Sequence, residues 1–300
     1  MSLKNFVKNI YHRGIYTAAL FFSKIGGTLS YSQSQAMGKI LGRITYYAMK
    51  NEREKTVTHI KQALGNGITD CEAKHLGKLC FEHLGMSLFE VFQLPNFHGS
   101  NIHEYITSEG LENIVEIQKQ NKGALLVTGH IGNWELLGAF LARCGVSFTV
   151  IARENSNPYL NELLAKHRKI AGFNTIFREG ISTVKESLRI LHNGGFLGML
   201  VDQHTRVESV IAPFFGIPAY TPVGPFSLAR KTGVPLIFTT IHRLSNGKHC
   251  ATFSKPLILK HTDDKSGDLT ESAVLINRLY EETIRKHPEQ WVWMHRRWRN

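Results

Sequence analysis

Cysteine is scarce in this chain. Cys71, Cys80, Cys144 and Cys250 are the four in 300 residues. They form no CxxC pair and no regular spacing, which excludes a disulfide scaffold and a cysteine zinc site and suits a reducing, cytosol-facing compartment. No HExxH occurs among the fifteen histidines, so neither a metal nor another cofactor is expected. The GxSxG elbow of the serine hydrolases and the GxxxxGK[ST] loop of P-loop phosphoryl chemistry are both missing. RNP1-like aromatic blocks, a KH-type GxxG context and zinc-finger spacing are lacking too, so nucleic acid is not expected as a partner. No apolar stretch near the N-terminus reaches the ~20 residues that cross a bilayer. Without repeats, low-complexity tracts or long linkers, 300 residues that are 42% apolar read as a single domain, 1–300.

What the chain does have is basic excess: 36 Lys+Arg against 24 Asp+Glu, a net +12, which calls for an anionic partner. Residues 1–55 hold nine Lys/Arg and two acids, and residues 285–300 hold five and one. The excess therefore sits on two flanks, the pattern of a docking surface. Over residues 1–30, Phe6, Ile10, Tyr11, Ala18, Phe21, Phe22 and Ile25 interleave with Lys4, Lys8, Arg13 and Lys24. No small-residue cleavage site accompanies them, so a signal peptide is not expected. The segment reads as a basic amphipathic, membrane-associating stretch, with a helix packed on its own domain as the alternative.

Helical periodicity covers 33–65 and 70–94, the second closed by Pro95. From Lys122 the pattern changes to short apolar runs alternating with amphipathic segments: 123–128 then 133–143, 148–152 then 158–171, 173–177 then 181–192, and 196–201. This βαβα rhythm predicts an α/β fold, a central largely parallel sheet flanked by helices, preceded by a helical N-terminal region. Ligands are expected at the carboxyl ends of the strands. A Pro- and Gly-rich loop is expected from Ala212 to Gly224, then a helix near 225–232, strands near 234–242 and 249–254, and a helix near 269–286.

The stretch Thr128-Gly-His130-Ile-Gly-Asn133-Trp-Glu135 places a histidine at the end of a buried strand and a carboxylate in the first turn of the next helix. On one continuous helix the two would lie about 140° apart. A turn at Gly129 and Gly132 lets them meet, so that the carboxylate can fix the imidazole tautomer and leave the other ring nitrogen as a base. With no nucleophile motif beside it, the attacking hydroxyl would belong to a substrate, which gives direct transfer without a covalent enzyme intermediate. The alternative is a histidine that merely ends a strand beside an ordinary helix-start acid.

His130-Ile-Gly-Asn-Trp-Glu135 resembles the HxGNWE motif of the lipid A biosynthesis acyltransferases, the late lauroyl/myristoyl transferases, whose relatives include phosphatidylinositol mannoside acyltransferases. The resemblance continues through Arg153 in Ile-Ala-Arg-Glu-Asn, Arg168 in Lys-His-Arg-Lys, Arg178 in Phe-Arg-Glu-Gly, Val201-Asp202-Gln203, Pro213-Phe-Phe-Gly216 and the run Trp291-Val-Trp-Met-His-Arg-Arg-Trp298. It implies a glycerolipid-acyltransferase-like fold with its catalytic core over about 120–300. It also implies transfer of a fatty acyl chain from an acyl carrier protein thioester to a hydroxyl of a lipid A precursor or similar membrane glycolipid. His130 would be the general base and Glu135 its orienting partner. Arg153, Arg168, Arg178, Asp202, Gln203 and Asn133 would serve substrate binding, the arginines on phosphate or a polarised carbonyl, with Asp202 orienting an arginine.

Relatives of this kind often begin with an apparent transmembrane helix, which residues 1–30 do not match, so peripheral association with the cytoplasmic face of the inner membrane is expected. Trp291, Trp293 and Trp298, amid Arg296, Arg297 and Arg299, are placed either at the lipid interface or, for two of them, in the core. Three other functions stay open on the residues alone. One is acylation of another amphiphile (a phosphoinositide mannoside, an aminolipid or a pigment) from coenzyme A or a carrier protein. The others are thioester hydrolysis and non-catalytic binding at a membrane surface.

Overall fold

The computed structural model describes residues 3–97, 99–178 and 180–298, without the side chains of residues 3–7, 66, 99 and 100. The side chains of Lys4 and Phe6, and all of Arg299, named above, lie outside the described residues. Four helices come first: α1 (Leu3–Thr28), α2 (Tyr31–Ala48), α3 (Lys50–Leu64) and α4 (Asp70–Gln93). Ser30 and Thr69 start α2 and α4 with reciprocal capping boxes to Gln33 and Glu72, so both starts are fixed by local chemistry. The stretch expected to be helical over 33–65 is so, as two helices that meet at Met49, whose backbone leaves helical geometry (φ −98°, ψ 70°). Helix α2 turns Ser34, Gly38, Gly42 and Tyr46 inward against α4. A Cβ at Gly38, Gly42 or Gly85 would collide with the facing helix backbone, so this seam exists because these positions carry no side chain.

Strand β1 (Ile106–Glu109) and α5 (Leu111–Lys119), not foreseen in the sequence, lead into the α/β region. There β2 (Ala124–Thr128), α6 (Trp134–Arg143), β3 (Phe148–Ala152), α7 (Pro158–Ala171), β4 (Asn174–Phe177), α8 (Ile181–His192) and β5 (Phe196–Leu200) follow the alternation read from the sequence. After them come β6 (Ser209–Phe214), β7 (Ile217–Pro222), α9 (Gly224–Thr232), β8 (Leu236–Arg243), β9 (His249–Phe253) and α10 (Lys265–Lys286). Among the described residues, seven strands form one sheet in the order β1-β9-β8-β2-β5-β3-β4. The five from β8 to β4 are parallel, while β9 runs against β8 and carries β1 parallel to itself.

Every residue of β2 is buried, as a strand covered on both faces requires. Its alternate side chains feed two cores: Leu125 and Val127 join Tyr280 of α10 and Trp291, while Ala124 and Leu126 join Leu136, Phe140 and Phe173.

Two expectations are corrected here. The segment Ala212–Gly224 is not a loop but mostly the antiparallel hairpin β6–β7. Phe215 and Gly216 both have positive φ (54° and 73°), the backbone of a two-residue hairpin turn. Prolines 213, 218 and 222 are accommodated because this pair stands outside the main sheet. The lipid-interface placement is corrected for Trp291 and Trp293, which are wholly buried as the core alternative had it, while the half-buried Trp298 donates its indole N–H to the Phe214 carbonyl at 3.1 Å.

Candidate active site

Thr128 of β2 lies opposite Leu200 of the neighbouring β5. Both chains continue two residues past their strands before turning, which sets His130 beside Asp202. The Asp202 carboxylate is fully buried and grips His130 twice: Oδ2 accepts the His130 backbone N–H at 2.9 Å, and Oδ1 lies 2.8 Å from Nδ1 of the ring. Oδ2 also accepts the indole N–H of Trp291 at 2.9 Å. Burial works to raise the Asp202 carboxyl, but the charge interaction with His130 and these hydrogen bonds outweigh it and hold it below the usual carboxylate range. With Nδ1 engaged by a carboxylate, Nε2 is the free nitrogen. The ring is a quarter exposed and packs edge-on to Trp134, centroids 4.8 Å apart.

The turn that follows is held from both sides. Gly132 takes φ +60°, and a Cβ there would run into the Ile241 carbonyl of β8, so only glycine fits. Its N–H donates to the Gln290 carbonyl at 2.9 Å, and the N–H of Val292 donates to the His130 carbonyl at 3.2 Å. Residues 290–292 thus lie along the turn as a strap, with an isolated antiparallel bridge between Ile131 and Trp291. From below, Ser87 of α4 donates to the Gly132 carbonyl at 3.3 Å.

The expected partnership of Glu135 with His130 is corrected by this geometry. Glu135 points away into the protein, where it forms a two-pronged ion pair with Arg168 of α7 (Nε–Oε2 2.8 Å, Nη2–Oε1 2.6 Å). Arg168 also donates to Thr175 at 3.1 Å. The pair is buried, tying α6 to α7 and β4, so Arg168 is not presented to a substrate as expected. Asn133 is buried as well: its Oδ1 caps α6 by accepting the N–H groups of Glu135 and Leu136, and its Nδ2 donates to the Ser87 carbonyl and to Glu90. Its role is to start the helix. Glu90 in turn holds Arg243 and the Tyr31 hydroxyl. Asp202, expected to orient an arginine, orients the histidine.

Arg153 and Arg178 come together as the sheet demands. Each is one residue past its strand, and Ala152 of β3 pairs with Phe177 of β4, so the two stand side by side at the carboxyl edge. Burial, and then the charge of Arg153, lower the Arg178 guanidinium from its usual value. With about 4.8 Å between strands, β3 and β4 are about 10 and 15 Å from β2 along the order β2-β5-β3-β4. Gln203 is half-buried in the turn after Asp202. A separate cleft of about 970 Å³, lined by Gly123, Leu191, His192 and Pro235, opens at the opposite, amino ends of the strands. Trp291 is the site residue that sequence reasoning missed; its block was noticed, but its reach to Asp202 needs the strand order.

Among the described residues no group of three or more His, Cys, Asp or Glu side chains is arranged to hold a metal ion. The site is a quarter-exposed histidine with a buried carboxylate behind it, at the carboxyl end of a parallel sheet.

Known proteins are similar to this chain in sequence. The family described as bacterial lipid A biosynthesis acyltransferase matches residues 3–300. A lipid A biosynthesis palmitoleoyltransferase of Escherichia coli is 26% identical over 73% of this chain and 70% of its own. The lipid A biosynthesis lauroyltransferase of the same organism is 26% identical over 90% and 87%. A phosphatidylinositol mannoside acyltransferase of Mycobacterium tuberculosis is 25% identical over 72% and 68%. With a match that spans the described chain and a site suited to moving an acyl group onto a hydroxyl, the chain belongs to the bacterial lipid A biosynthesis acyltransferase family.

Proposed function

We propose that this acyltransferase moves a fatty acyl chain from an acyl carrier protein thioester to a hydroxyl of a lipid A precursor or a similar membrane glycolipid, with His130 as general base and Asp202 as its orienting partner. The observation that carries the proposal is the His130 ring, tethered at Nδ1 by a buried carboxylate 2.8 Å away and open at Nε2. The acceptor hydroxyl attacks the thioester carbonyl as Nε2 takes its proton. When the tetrahedral intermediate collapses, the C–S bond breaks and the imidazolium returns that proton to the departing thiolate. Ester and free thiol result, and the enzyme is regenerated. Such a base contributes roughly 10²–10⁴ in rate.

Arg153 and Arg178 supply the anion end of the same surface. Two guanidiniums side by side favour an anion between them, and their place about 10–15 Å along the sheet edge from β2 suits a phosphate at a distance from the reacting hydroxyl. Peripheral binding to the cytoplasmic face of the inner membrane fits the helical region. No helix among the described residues is long and apolar enough to cross a membrane. Helix α1 exposes Ile10, Tyr11, Phe21 and Phe22, and α2 exposes Met37, Ile40, Ile44 and Tyr47, one stripe at i, i+3, i+7 and i+10. Such faces bury in a lipid interface.

The phosphatidylinositol mannoside acyltransferases at the same level of identity favour a second acceptor class, a mannosylated phosphoinositide. Mass spectrometry of total glycolipids decides. Cells lacking the protein are expected to lose one acyl chain from lipid A, restored by wild type and not by His130→Ala. A change confined to another glycolipid would move the acceptor, and restoration by His130→Ala would sink the base assignment.

A further inference from the structure

We infer that Trp291 is a positioning residue for the reaction: its indole N–H, donated to Asp202, holds the carboxylate that holds His130 and limits how strongly that carboxylate stabilises the imidazolium. The inference rests on the reading of His130 as base and Asp202 as its partner.

Asp202 Oδ2 takes two donors, the backbone N–H of His130 and the indole of Trp291, each at 2.9 Å. Oδ1 is left for the imidazole at 2.8 Å. A carboxylate with one rigid donor on its far oxygen cannot swing its near oxygen away from Nδ1. The indole is itself rigidly placed, since Trp291 is 1% exposed, its ring meets Trp293 edge-on at 4.6 Å, and its carbonyl accepts the Cys80 thiol at 3.0 Å. The strap contacts from Gln290 and Val292 fix the same turn, so one segment sets the height of the histidine and the aim of its carboxylate together.

The indole has an electrostatic effect as well. A hydrogen bond to a carboxylate draws off part of its charge. Loss of the N–H leaves Asp202 more basic, the imidazolium better stabilised, and less free base at a given pH. Three titratable groups face Asp202: His130 from the β2–α6 turn, Tyr280 from α10 and Arg297 from the segment after the strap. Tyr280 stays neutral, its hydroxyl donating to the Thr128 carbonyl, and Arg297 stays charged near neutral pH. Among the side-chain donors described on the carboxylate, the indole is thus the one that stays neutral while the imidazole gains and loses its proton.

The test is the pH–rate profile of acyl transfer from an acyl carrier protein thioester to a hydroxyacylated lipid A precursor, for wild type and Trp291→Phe. The acid limb is expected to move up by about half a unit, which costs about three-fold in rate below it, with KM for both substrates unchanged. Proton NMR, which needs no substrate, is expected to find the Nδ1–H resonance of His130 further downfield in the variant. Trp293→Phe is the control. Its indole donates to the Pro288 carbonyl, just before the strap, and phenylalanine keeps an aromatic ring against Trp291, so it is expected to lower the melting temperature without moving the limb or the resonance. If Trp291→Phe does not fold, 3-benzothienylalanine at 291 keeps the ring shape and removes only the N–H. An unmoved limb and resonance would overturn the inference, and so would equal shifts from Trp293→Phe. Survival of transfer in His130→Ala would instead overturn the reading beneath it.

Discussion

At the scale of single residues, two carboxylates are candidate site residues, one inside the His130 motif and one far along the chain, and the structure gives them different work. Asp202→Asn replaces an acceptor with an amide and releases the tautomer that leaves Nε2 free. Its kcat is expected to fall by on the order of 10²–10⁴ with little change in stability, as steady-state kinetics beside a denaturant titration would establish. Glu135→Gln leaves Arg168 buried without its counter-charge, which costs roughly 3–5 kcal/mol of stability. The double variant Glu135→Gln, Arg168→Met should recover part of that loss in the same titration. Equal stability of the Glu135 variant and wild type would show that the pair is not a strut. The sequence made Glu135 the attractive partner because the two share one motif. Only the order of strands in the sheet puts Asp202, 72 residues further along, next to the imidazole, and that order is a long-range property no local spacing encodes.

At the scale of elements, the α2–α4 seam and the outer face of α2 are one helix seen from two sides. Alanine is a better helix former than glycine by about 1 kcal/mol, yet Gly42→Ala drives a methyl into the backbone of α4. The net effect is expected to be a loss of about 1–3 kcal/mol, read by chemical denaturation; a gain would mean that the helices can part. On the other side, Ile40→Glu with Ile44→Glu is expected to weaken binding to anionic phospholipid vesicles at unchanged melting temperature. Undiminished vesicle binding would remove α2 from the membrane-facing surface.

The α/β alternation from β2 to β5 was legible almost to the residue, because buried parallel strands are short apolar runs and their helices are amphipathic. The hairpin β6–β7 was not, because its prolines argue against strand and its turn depends on a positive φ at Phe215 that no propensity favours. The short β1 pairs with β9, more than a hundred residues away, and had no pattern of its own.

At the scale of the whole molecule, burial of uncharged histidines makes the fold sensitive to acid. Burial is the main cause that lowers His83 to about 3 and both His242 and His249 to about 4. The unfolded chain takes up those protons near pH 6.5. Protonation therefore favours unfolding as pH falls below that point, and stability, full above it, declines toward pH 4 with a slope approaching three protons. Glu90 adds to the loss further down. Burial would raise it, but Arg243 and His249 bring it to about 2, so its contribution is full above the ordinary carboxylate range and is lost progressively as pH falls from there to about 2. Melting temperature measured from pH 7.5 to 4.5 should fall steadily, and a flat profile would contradict the neutral state of the buried His249 and the half-buried His83 and His242.

The strap over the histidine turn also sets an order in time. Protein synthesis delivers β2 and β5 well before residue 291, so a growing chain can pair His130 with Asp202 while the carboxylate still lacks its third donor and the turn its cover. A chain halted before that point, or clipped there afterwards, would keep both partners of the histidine–carboxylate pair while lacking the indole that fixes their aim. The aim of the histidine would then be completed late, about ninety residues after Asp202 has passed through the ribosome.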